Sequence, residues 1–126
     1  MTKESSVKAD VVLLEDDALI NMNTSGAIEE MGHGVRSFMH LRDCTEAVRE
    51  RLPDIAVLDV NVAGETSYVL AQWLDDRHVP VIFLTGYEKP SLDARLQHRP
   101  ACRKPCDPQE LKKLIADALG PRRGGH

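Results

Sequence analysis

Seven polar residues in the 126-residue chain stand where four apolar runs stop or just beyond. Glu15, Asp16 and Asp17 follow "VVLL", Asp59 closes "DIAVLD" with Asn61 two residues on, Thr85 closes "VPVIFLT", and Lys104 closes "PACRK" before Pro105. Taken singly, each is ordinary: an acid can cap a helix, an aspartate can sit in a solvated loop, and threonine often ends a strand. Together they describe a chemistry. Carboxylates that share a pocket raise one another's pKa or bind a cation. Hard oxygen ligands at a part-open site suit Mg²⁺, which neutralises the acids and can hold a phosphoryl oxygen. A carboxylate can also act as nucleophile and form an aspartyl phosphate. A hydroxyl and an ammonium opposite it would bind the remaining phosphoryl oxygens. Phosphoryl transfer asks mainly for such positioning and charge neutralisation.

The elements between these positions must bring them together. Residues 11–15, 34–39, 54–60, 79–85 and 100–104 read as strands, the first, third and fourth as continuous apolar runs suited to burial on both faces. Between them, "DALINMNTSGAIEEMG" carries Ile20, Ala27, Ile28 and Met31 near one helical face and ends at Gly32 and Gly34. "DCTEAVRERL" is a short helix stopped by Pro53. "TSYVLAQWLDDR" places Val69, Leu70, Trp73 and Leu74 at helical spacing. "DPQELKKLIADAL" is the clearest helix, with Asp107 as N-cap, Pro108 at the first position and a stripe of Leu111, Leu114, Ile115, Ala118 and Leu119. Residues 88–99 give only a weak helical signal. Alternating strands and helices predict an α/β fold, a parallel sheet with helices on both faces. Ligands in such folds bind outside the carboxyl ends of the strands, where strand order reverses.

Composition bounds the function. The length suits one domain, set at residues 9–119, with 1–8 and 120–126 as flexible termini. A net charge of −4 argues against a module that gains affinity by neutralising nucleic-acid phosphates, and the basic tail "GPRRGGH" is too short to change that. The polar opening is no signal peptide and no apolar run spans a membrane, so a cytoplasmic location is expected. Cys44, Cys102 and Cys106 form neither a disulfide framework nor a zinc pattern, and all three are expected as reduced thiols.

"VVLLEDD", "PDIAVLDVN", "IFLTG" and "CRKP", in that order over residues 9–119, resemble the receiver domain of two-component response regulators. The resemblance implies a flavodoxin-like (βα)5 doubly wound sheet of strand order 2-1-3-4-5, with the fourth helix short or mobile. It implies Asp59 as phosphoacceptor and Asp16 and Asp17 as the acidic pair, with Asp17 the direct metal ligand. Asn61 would offer its backbone carbonyl to Mg²⁺, Thr85 would be the switch hydroxyl, and Lys104 would bind the phosphoryl group from before a cis proline. Glu15 has no role in that scheme.

Two positions depart from the common receiver pattern. Ala101 stands where most receivers carry an aromatic, and Ala63 stands where they carry proline four residues after the acceptor. "FLTGY", with Phe83 and Tyr87 flanking Thr85, and "LDVNVAGETSY" look like the "FATGY"-type variant receivers, mostly stand-alone proteins of α-proteobacteria. The expected function is therefore a single-domain response regulator, an acceptor rather than a turnover enzyme. It would take a phosphoryl group on Asp59 from a histidine kinase or histidine phosphotransfer protein. It would then signal by docking to a downstream protein or act as a phosphate sink, with no nucleic-acid or membrane partner. The 88–99 segment is expected to be mobile and to order on phosphorylation or partner binding. The alternatives are a phosphorylation-independent scaffold on the same fold and a phosphohydrolase. The latter usually places a second acid two residues after its nucleophile, where this chain has Asn61. The oligomeric state is left open.

Overall fold

The computed structural model describes residues 9–86 and 99–120. Expectations for the segment 88–98, the fourth helix, Tyr87 and residues 1–8 and 121–126 lie outside the described residues.

Five parallel strands form the main sheet: β1 (Asp10–Leu14), β2 (Gly34–Phe38), β3 (Ile55–Asp59), β6 (Val81–Thr85) and β7 (Ala101–Arg103). Their spatial order is β2-β1-β3-β6-β7, which is 2-1-3-4-5 when these five alone are counted. Two short strands, β4 (Asn61–Val62) and β5 (Glu65–Thr66), make a separate antiparallel hairpin after β3. The described helices are α1 (Ala18–Glu30), α2 (Leu41–Glu50), α3 (Tyr68–Asp76) and α4 (Pro108–Leu119).

The central strands alternate their side chains between two apolar layers, as the two-residue strand period requires. Val11, Leu13, Val57, Ile82 and Leu84 pack with Ile28 of α1 and Leu111, Ile115 and Leu119 of α4. Val12, Leu14, Ala56, Leu58, Val81 and Phe83 pack with Cys44 and Val48 of α2 and Leu70, Ala71 and Leu74 of α3. Both layers are dry, so β1, β3 and β6 need no polar face, and their sequences read as unbroken apolar runs. Helix α4 begins as its sequence predicts: Asp107 Oδ1 accepts the Gln109 N–H at 3.0 Å and Pro108 stands in the first turn. Gly120 caps the end of that helix and donates its N–H to the Ala116 carbonyl.

Two expectations fail here. Val69 is 83% exposed, because the helical step of about 100° per residue carries it away from Leu70, Ala71 and Leu74, which face the core. Cys102 and Cys106 are not free thiols but a disulfide, with Cα atoms 5.6 Å apart. Cys102 lies in β7 and Cys106 follows the turn at Lys104–Pro105. That turn folds the chain back to a separation a disulfide can span, which residue spacing alone did not reveal. Cys44 is the free cysteine, and burial pushes its thiol up to about 12, so it is an inert part of the core.

Candidate functional site

The parallel sheet sends the carboxyl ends of β1, β3, β6 and β7 to one edge, and β1 lies beside β3 where the strand order reverses. Glu15 follows β1, Asp59 ends β3, Thr85 ends β6 and Lys104 follows β7. Lys104 Nζ lies 3.1 Å from Glu15 Oε1 and 3.1 Å from Asp59 Oδ2, across 89 and 45 positions of sequence. Glu15, Asp16 and Asp59 each bring a carboxylate oxygen into a cluster within 4.8 Å.

The acids therefore pair differently from the sequence expectation. Asp17 does not join the cluster. Its Oδ1 accepts the N–H groups of Leu19 and Ile20 at 3.0 Å each and caps α1. That is the usual use of an aspartate at a helix start, where backbone donors lack partners. Glu15, expected to be idle, is fully buried and holds both Lys104 and the Asp17 N–H, the latter at 3.0 Å. Three adjacent acids at a strand–helix junction look equivalent as letters. The junction separates them into an inward acid, a rim acid and a cap.

Asp16 sits on the rim and ties it to the β4–β5 hairpin: its Oδ2 accepts the Ala63 N–H at 2.9 Å. Ala63 and Gly64 form the hairpin's two-residue turn with φ of 51° and 89°. Two left-handed residues suit the right-handed twist of such a hairpin. Proline, fixed near φ −65° and lacking an N–H, could neither take this turn nor donate to Asp16, which accounts for its absence at position 63. Asn61 opens β4, exposed, with Thr66 as its cross-strand neighbour.

Two supporting residues escaped sequence reasoning. Ser67 is buried, and its hydroxyl donates to the Asp59 carbonyl at 2.7 Å while its N–H donates to Val60 O at 3.0 Å. Asn21 is buried beneath Glu15 and donates to the carbonyls of Glu15 and Phe38 at 3.0 and 3.2 Å, joining the ends of β1 and β2. Asn21 carried one faint signal, a polar residue following Leu19 and Ile20 in the first turn of α1. Ser67 carried none, because it looks like a simple N-cap. Thr85 is buried at the end of β6, and its carbonyl accepts the Lys104 N–H at 2.8 Å. Ala101, Tyr68 and Phe83 share the layer below, the two rings meeting edge to face at 6.1 Å. The bond from Lys104 to Pro105 is cis, as the resemblance implied.

Burial is the main reason the Asp59 carboxyl is pushed up to about 7. The charge of Glu15 adds to it, the Lys104 ammonium partly offsets it, and Asp16 adds a smaller push. Burial alone would lower the Lys104 pKa, but its bonds to Glu15 and Asp59 outweigh that and hold it above the usual lysine value. Three carboxylates against one ammonium leave the cluster two negative charges in excess when all are ionised. A divalent cation matches both that excess and the all-oxygen donor set.

Residues 11–116 match the response regulator receiver domain family. The chain is 29% identical over 123 residues to the phyllosphere-induced regulator PhyR of Methylorubrum extorquens, which covers 91% of this chain and 45% of PhyR. It thus spans under half the length of that relative. Among solved structures, the response regulator PhyR from Brucella abortus superposes with a TM-score of 0.74 at 26% identity, over 94% of this chain and 50% of the other. A response regulator receiver domain protein from Clostridium thermocellum gives a TM-score of 0.79 at 20% identity, over 91% and 97%, and supports the fold alone. With strand order, acidic rim and lysine in agreement, the chain belongs to the response regulator receiver domain family.

Proposed function

We propose that Asp59 accepts a phosphoryl group from a phosphohistidine on a histidine kinase or histidine phosphotransfer protein. The modified chain then passes the signal on by docking to a partner protein, or drains phosphoryl groups from a shared kinase. One observation supports this reading above the others: Lys104 bridges buried Glu15 and Asp59 at 3.1 Å to each, at the mouth of the strand-order reversal.

The transfer begins with a carboxylate oxygen of Asp59 attacking phosphorus. The donor's P–N bond breaks, and its electron pair leaves on the imidazole nitrogen. Asp59 must be ionised to attack, and with its pKa near 7 the unassisted carboxyl is only partly so at neutral pH. Bound Mg²⁺ would neutralise the acid cluster and the incoming phosphoryl oxygens. Glu15, Asp16 and Asp59, with the Asn61 backbone carbonyl, are the residues we propose hold it. Lys104, charged throughout, turns from Asp59 toward a phosphoryl oxygen, and the Thr85 hydroxyl on the next strand end takes another. The Ser67 bond to the Asp59 carbonyl keeps the acceptor's backbone fixed meanwhile.

The test is intact mass after incubation with acetyl phosphate and Mg²⁺. A phosphoryl gain on wild type that is absent from Asp59→Asn is the expected result. No gain with any small donor, or an equal gain on the variant, would replace this reading with that of a phosphorylation-independent scaffold.

A further inference from the structure

The residue that grips the acceptor lies inside a disulfide loop. Cys102 is buried at the end of the sheet, in the apolar layer with Leu84, Leu111 and Ile115. Cys106 is half-buried against the same layer, one residue before the cap of α4. Between them run Arg103, Lys104 and Pro105. The disulfide thus closes a five-residue loop whose central residue is Lys104. The loop has a second anchor, the Lys104 N–H bond to the Thr85 carbonyl at 2.8 Å. The Lys104 side chain reaches Glu15 and Asp59 from this closed frame.

We propose that Cys102–Cys106 is a reversible two-electron modification site that sets how firmly Lys104 is held, and so tunes the phosphoryl chemistry, a consequence that rests on the function proposed above. The loop is short and lies at the protein's rim, next to the reacting groups. Its two cysteines differ in burial: Cys102 is fully buried and Cys106 only half-buried, which makes Cys106 the sulfur for a solution thiolate to attack. Attack by a dithiol at Cys106 forms a mixed disulfide and breaks the Cys102–Cys106 bond. The electron pair goes to Cys102 Sγ, which takes a proton. The second thiol of the reductant then displaces Cys106, which leaves as a thiol, and the reductant departs as its own disulfide. Two electrons and two protons have entered the chain. Exchange with a small-molecule disulfide such as oxidised glutathione reverses the sequence. In the reduced chain the stretch from Lys104 to the α4 cap is fastened to β7 only through the backbone, and Lys104 gains freedom.

The experiment uses the full chain after equilibration with oxidised glutathione or with dithiothreitol. Alkylation under denaturing conditions counts one thiol in the first sample, Cys44, and three in the second; three thiols in both would overturn the proposal. Amide exchange at Lys104 is expected to be roughly three- to tenfold faster in the reduced chain, because the opening that frees its N–H costs less. Equal exchange would overturn it too. Labelling by acetyl phosphate is expected to be roughly two- to tenfold slower in the reduced chain through looser positioning. Cys106→Ser should match the reduced rate and ignore the redox buffer. Equal labelling in both redox states would overturn the tuning role. If neither state is labelled, the proposed function fails, and the thiol count and exchange rates decide the disulfide's part on their own.

Discussion

At the scale of single residues, the feature with the widest consequences is the buried carboxyl of Asp59. In the unfolded chain its pKa lies near 3.8, and in the folded chain it is pushed up to about 7. The native state therefore binds a proton that the unfolded state releases between those values. The stabilisation this confers is complete below pH 4 and is lost as pH rises through 7. Without metal, wild type should lose stability between pH 5 and pH 8, by an amount on the order of 1–3 kcal/mol from this group. Asp59→Asn cannot ionise and should lose less. Thermal unfolding in EDTA at the two pH values measures the difference, and parallel losses in both proteins would refute it. Ser67 makes a second residue-scale case. Ser67→Ala removes the bond to the Asp59 carbonyl and leaves a buried acceptor without that donor, a cost of about 1–3 kcal/mol. Urea unfolding should show that loss, and acetyl phosphate labelling should slow along with it.

At the scale of elements, the first strand–helix junction decides which acid meets Lys104 and which caps α1. Asp17→Ala should cost about 1 kcal/mol through lost capping of α1, while Asp17→Asn, which can still accept from Leu19 and Ile20, should cost little. Strands β1, β3 and β6 were readable because burial on both faces leaves an unbroken apolar run, as in "VVLL" and "IAVLD". The strand-end positions of Asp59, Thr85 and Lys104 followed directly. The allocation of Glu15, Asp16 and Asp17 did not, because it depends on the single residue at which backbone dihedrals change from extended to helical. A one-residue error there exchanges a lysine-binding acid for a cap. Val69 was misplaced for a different reason: it lies about 140° around the helix from Leu74, beyond the face that α3 buries. The disulfide failed because it depends on a turn, not on a spacing. The β4–β5 hairpin offers a cleaner wager. Ala63 holds a left-handed φ of 51°, which glycine adopts without steric cost, and Ala63→Gly keeps the N–H given to Asp16. That variant should be stabilised, by up to about 1 kcal/mol in denaturant unfolding, since relief of the left-handed strain exceeds the added entropy of the unfolded chain.

At the scale of the whole molecule, the fold is a device for concentrating like charge at one rim. The dry layers on either side of the sheet supply the stability that the crowded acids oppose. Among the described residues no helix is long and apolar enough to cross a membrane. A cation that binds only the folded rim should stabilise the whole chain, by about 2.7 kcal/mol at a hundredfold excess over its Kd. It should also displace the Asp59 proton near neutral pH, because the metal requires the ionised ligand. The most direct measurement is a calorimetric Mg²⁺ titration of wild type, Glu15→Gln, Asp16→Asn and Asp17→Asn at pH 7. Binding with proton release in wild type, retained in Asp17→Asn and strongly weakened in Glu15→Gln and Asp16→Asn, is the outcome this account requires. Binding that survives loss of Glu15 and Asp16 but fails in Asp17→Asn would contradict it.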